Sequence, residues 1–180
     1  MRTIMILIGA GLLLSFAGCS STSLFPKNGS EILKSEAEFG VLTAQPDVYQ
    51  GRAIRLAGRM VGVETTNQGT IVVAEWLPYP NNEYEGPDDS GMKPQGRFAV
   101  FYPGKLGAEG SLHGNKFLAI GKMEGKQAMG SLGGPSRNLP YMTARCLHVW
   151  KTGDAVIETT IPDVENTGYP VTEETYCSGT

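Results

Sequence analysis

Cysteine and histidine are scarce in this chain of 180 residues, with three of the first and two of the second. No Cys-x-x-Cys or His-x-x-x-His spacing supplies a metal-ligand set, and no Gly-Lys-Ser or Gly-Lys-Thr makes a phosphate cradle. Charge of one sign is also lacking. The formal net charge of −3 is spread along the chain without a block of like charges, so there is no electrostatic footprint for nucleic acid and none is expected as a partner. The apolar run Ile4 to Leu14 is too short to cross a bilayer core of about 30 Å. What the chain has in quantity is glycine (24) and proline (11), with 41% hydrophobic residues. That balance favours one domain of short strands joined by turns over long helices.

The N-terminus has the order of an export signal: Arg2 ahead of the apolar run, then the small residues Ala17 and Gly18 just before Cys19. Phe16-Ala17-Gly18-Cys19 resembles the bacterial lipobox, in which the signal is cut before the cysteine and that residue is acylated; it departs from the usual pattern at Phe16. The resemblance implies residues 1–18 as a lipoprotein signal peptide, Cys19 as the lipidation site, and, with Ser20 rather than Asp next, sorting to the outer membrane. Residues 19–30 are polar and small and read as a flexible linker that lets the domain stand off the bilayer.

The domain proper is expected over 31–162. Glu31 to Ala44 has helical spacing of Ile32, Leu33, Ala37, Val41 and Leu42, with Ser30 placed as N-cap, and Pro46 ends it. From Ala53 the apolar residues Ile54, Leu56 and Met60 alternate with Arg55, Ala57 and Arg59, while Gly58 and Gly62 interrupt the strand as a bulge or bend would. A strand that coils in this way suits a small barrel. Further strands are expected at Thr70 to Leu77, Arg97 to Tyr102, Lys116 to Met123 and Tyr141 to Trp150, with a short one near Lys126 to Met129. The tail 163–180 is polar and is expected along the surface or partly disordered.

Several residues bear on chemistry. The loop Pro78 to Gly96 carries Glu83, Glu85, Asp88 and Asp89, but their spacing lacks the alternation and closing Glu of a calcium loop, so a solvated excursion is expected. His113 falls in a turn. Cys146 and His148 share one strand face, two ligands short of a metal site. In an oxidising compartment, and with Cys19 acylated, Cys146 and Cys177 remain as an even pair for a disulfide. Tyr49, Trp76, Tyr102, Tyr141 and Trp150 are core or rim residues, or, if gathered on one exposed face, a ligand or partner surface. No catalytic pair, metal site or cofactor motif is found.

In order, Gln45 to Gly51 (QPDVYQG), Leu56-Ala57-Gly58, Gly121 and Gly125, Pro140-Tyr141 and His148-Val149-Trp150 resemble the Slp family of starvation-inducible outer-membrane lipoproteins. The resemblance runs from about Cys19 to Trp150. It implies a mainly β fold with a small barrel of the oligonucleotide/oligosaccharide-binding (OB) type. It also implies a lipid anchor in the outer membrane facing the periplasm, a link to starvation or envelope stress, and no established catalytic residues. The functional expectation is a non-enzymatic, membrane-tethered structural or adaptor module that contacts other envelope proteins. The alternative is a barrel that binds an envelope glycan or another small polar ligand.

Overall fold

A computed structural model describes residues 23–25, 30–33, 35–88, 95–130, 132, 134–135, 137–153 and 172–178. The expected signal peptide, the expected lipidation site Cys19, Asp89 and the first part of the tail lie outside the described residues.

Five strands make the body: β2 (Ala53–Thr65), β3 (Thr70–Leu77), β4 (Arg97–Tyr102), β5 (Lys116–Met129) and β6 (Arg137–Trp150). They neighbour one another in the order β2-β3-β4-β6-β5, and β5 returns to β2, which closes the barrel. Every contact in the ring is antiparallel except β4 with β6. A closed five-stranded barrel with this crossover is OB-like. Two short strands extend it: β1 (Glu31–Ile32) runs parallel to β2, and β7 (Glu173–Cys177) runs antiparallel to β6.

Closure depends on bends the sequence provides. Register shifts fall between Met60 and Gly62 on β2, and between Ile120 and Gly121 and Met123 and Gly125 on β5. At Gly58 a Cβ would sit 2.8 Å from the Glu75 carbonyl oxygen and 2.9 Å from the Phe98 ring, so only glycine lets the strands approach there. Strand alternation sends Ile54, Leu56, Met60, Val72, Ala74, Trp76, Phe98, Val100, Phe117, Ala119, Leu147 and Val149 into one interior cluster. Burial of each large side chain contributes about 1.5–3 kcal/mol. The helix α1 (Glu36–Ala44) adds Phe39 and Leu42 to that cluster, with Phe39 stacked on Trp76 at a ring separation of 5.1 Å.

Some elements differ from the sequence expectation. The helix starts at Glu36, not Glu31, because Ser35 rather than Ser30 caps it: its hydroxyl accepts from Glu38 N–H, and the Glu38 carboxylate accepts from Ser35 N–H. Glu31 and Ile32 are taken instead by the free edge of β2. The strands expected at Lys116 to Met123 and Lys126 to Met129 are one strand carried through a bulge, and β6 begins at Arg137. The end of the tail adds a strand to the sheet, with Cys146 and Cys177 opposite one another and joined at an S–S distance of 2.05 Å.

The outer surface of the barrel is apolar in two places, and each is covered by the chain itself. Val73 and Ala99 on β3 and β4 lie under Met129 and Leu139 of the long β5–β6 hairpin. Ala57, Leu77, Leu118, Ile120 and Trp150 lie under Phe25 and Tyr79, with Leu24 and Ile32 packed at the margin. This second cover joins the N-terminal segment to the barrel wall.

Candidate functional site at the anchor junction

At the N-terminal cover, Ser23 to Phe25 are bound to the barrel. Arg55, outward on β2 between the inward Ile54 and Leu56, pairs with Glu83 at 2.5 Å, and both side chains are buried. Glu83 sits in a 3₁₀ turn (Glu83–Glu85) held by Asn82, whose side chain accepts from Tyr84 N–H. One carboxylate oxygen accepts from Tyr79 O–H at 2.6 Å as well as from Arg55. The other accepts from Ser23 O–H at 2.8 Å, from Phe25 N–H at 3.2 Å and from Leu24 N–H. Arg55 also donates to Ser23 Oγ at 3.2 Å and to Ser30 Oγ at 2.7 Å, and lies 5.9 Å from the centre of the Phe25 ring.

Electrostatics explains why this carboxylate remains charged. Burial pushes the Glu83 pKa up, but the hydrogen bonds from Tyr79, Ser23 and Phe25 and the charge of Arg55 outweigh it and hold the group below the ordinary carboxylate range. Burial, and then the neighbouring carboxylate, raise Tyr79 far above its ordinary value. Two apolar anchors and three donors of the N-terminal segment therefore converge on a fixed anion. The linker expectation is corrected on this point: Ser23 to Phe25 is a docked strap, with Phe25 3% exposed, because its backbone amides satisfy a buried carboxylate. Glu83 is likewise not part of a solvated excursion.

The candidate residues read from sequence are dispersed. Cys146 is bonded to Cys177 and holds no thiolate. His148 uses both ring nitrogens on β7, Nδ1 on Thr175 Oγ1 at 2.7 Å and Nε2 on Glu173 at 3.3 Å; burial lowers its pKa against the pull of Glu173. His113 is exposed in its turn. Tyr49, Trp76 and Tyr102 belong to the barrel interior, Trp150 to the cluster under the strap, and Tyr141 is half-buried beside the hairpin. The five aromatics thus do not gather on one exposed face, because three fill the closed interior and Trp150 and Tyr141 belong to two separate outer clusters. Glu85 is exposed and bonded to Asn82. Among the described residues, no three His, Cys, Asp or Glu side chains converge as a metal site requires, and no helix is long and apolar enough to cross a membrane.

Two concavities were not foreseen. One, of about 350 Å³, lies where Glu75 bridges Arg59 at 2.7 Å and Arg97 at 3.2 Å, with Arg137 and Leu139 across from them. Those two guanidiniums hold the Glu75 carboxyl below its ordinary range although burial opposes them. The other, of about 390 Å³, lies over the β5–β6 bulge and is lined by Ser30, Ala53, Ile120, Lys122, Thr143 and Arg145 among others. Arg145 is the extra residue there, since Ile120 faces Cys146 while Gly121 faces Ala144. A Cβ on Gly121 would lie 2.2 Å from the Thr143 carbonyl oxygen, so glycine is what permits this approach. No local sequence signal reveals the Arg55–Glu83 pair; the glycine at 121 is the one visible trace of the bulge.

The fold and this junction define a small barrel with the segment Ser23–Phe25 strapped to its outer wall, the build of a tethered domain. The model of the outer membrane lipoprotein Slp family matches residues 16–176, and the chain belongs to that family. It is an outer-membrane lipoprotein. No curated protein and no solved structure matches the chain.

Proposed function

We propose that the chain is acylated on Cys19 after removal of residues 1–18, faces the periplasm, and acts without catalytic turnover as an envelope structural or adaptor module. The observation that carries this reading is the strap. Ser23, only four positions past Cys19, is fixed to buried Arg55 and Glu83, so the lipid-bearing residue lies within about 14 Å of the barrel. A domain built in this way is seated against its membrane, which suits a scaffold that presents one fixed face to its neighbours. Acyl chains supply the attachment at about 0.8 kcal/mol per buried CH₂, so two or three hold firmly. Cys19→Ser is expected to abolish fatty-acid labelling and to clear the protein from the outer-membrane fraction; retained labelling would overturn the assignment.

A second reading, a barrel that binds an acidic envelope glycan, is favoured by the arginine-lined cavity at Glu75, Arg97 and Arg137. Against it, the outer face of β3 and β4, where OB barrels take ligands, is largely occupied by the protein's own hairpin. A true ligand at a hundred times its dissociation constant adds about 2.7 kcal/mol of stability, so a thermal-shift panel of acidic saccharides without any shift removes this reading.

A further inference from the structure

The groove over the β5–β6 bulge adjoins the strap network at Ser30, shares no residue with the arginine-lined cavity, and has a specific composition. Its walls include Ala53, Pro103 and Ile120, while Lys122 and Arg145 supply two cations and no carboxylate among the described residues lines it. Both basic side chains are exposed. Glu124, the nearest acid along β5, acts on Tyr141 instead. The bulge changes the parity of β6, since Met142 and Ala144 and then Leu147 and Val149 point inward, which turns Arg145 out beside Cys146. The Arg145 carbonyl accepts from Ser178 N–H at 2.8 Å, and the Cys146–Cys177 bond clamps the next position, so the cation stands on a fixed base.

Position relative to the tether decides the occupant. Ser30 lines the groove, and its hydroxyl accepts from the same Arg55 guanidinium that holds Ser23. The end of the strap and the mouth of the groove are thus bridged by one side chain. We infer that this groove takes the anionic headgroup of a lipid in the bilayer to which the protein is anchored, with the phosphate on Lys122 and Arg145 and the adjoining apolar part against the walls. The inference rests on the acylation of Cys19, which brings the groove to the bilayer surface. It gives the barrel a defined orientation, with the bulge face toward the headgroups.

The test uses lipidated protein incorporated into vesicles of phosphatidylcholine alone or with a third of phosphatidylglycerol, labelled with a water-soluble amine reagent and read by mass spectrometry. Lys122 is expected to label about fivefold more slowly on the anionic vesicles, the factor that one basic residue near such a surface carries. Lys126, exposed further along the same strand, serves as the internal comparison. Arg145→Gln is expected to abolish the difference at Lys122 while the protein still floats with either vesicle. Equal labelling of Lys122 on both vesicles, or equal protection by inorganic phosphate in detergent, overturns the inference. Failure to float with neutral vesicles would instead count against acylation, so the two readings fail separately.

Discussion

Replacing Glu83 by glutamine is the sharpest test of the strap. The change keeps shape and volume but removes the charge and turns one of two acceptor oxygens into a donor. That atom would face either Arg55 and Tyr79 or Ser23, Leu24 and Phe25, all of which donate to the native carboxylate. Since Arg55 is itself buried, removing the Glu83 charge beside it is expected to cost about 3–5 kcal/mol. For a domain of this size that corresponds to a fall in Tm of roughly 6–20 °C. Thermal and urea unfolding of Glu83→Gln, beside proteolysis timed at the N-terminus, reads both the global loss and release of the strap. Arg55→Met combined with Glu83→Leu is expected to lose less than the sum of the single changes, because the pair is removed together. A Tm within about 2 °C of the parent, with the N-terminus still protected, would refute the claim that this carboxylate holds the strap.

Two further outcomes follow from groups already described. Reduction of the Cys146–Cys177 bond, which spans 31 residues, is expected to lower stability by about 2–4 kcal/mol and to free β7; hydrogen exchange over 173–177 in the presence of reductant measures this, and unchanged protection would contradict it. Acid should destabilise the fold in two stages. His148 has a folded pKa below its ordinary value, so stability is complete above about pH 6.5 and declines as pH falls toward the folded value. Glu83 has a lowered carboxyl pKa, so its contribution persists above its ordinary range and is lost only as pH drops through the folded value. Urea midpoints taken from pH 8 to pH 3 check both, and a flat profile would refute them.

How much of this was visible in the residues differs by element. The strands Thr70–Leu77 and Arg97–Tyr102 were legible to the residue because β-branched and aromatic runs end there at turn formers. The bend in β2 was legible from its glycines. The start of the helix was not, since Ser30 and Ser35 are both chemically fit to cap and only the pairing of Glu31 and Ile32 with β2 decides between them. Glu83 looked solvated because an acid in a polar loop usually is, and its partner Arg55 lies two strands earlier in the chain. Long-range pairing of that kind leaves no local trace. The proposed lipid anchor, by contrast, rests on a short continuous motif, Phe16-Ala17-Gly18-Cys19.

Closure of the barrel sets an order on how the chain can mature. β2 is made early, yet the partner that completes the ring, β5, follows much later, with Ala53 meeting Lys122 and Arg59 meeting Lys116. Contacts so remote in sequence form slowly. The body therefore cannot shut until Lys116 to Lys122 has been made, and until then β2 presents an open edge. Arrival of the second half is the event that commits the chain to its closed shape.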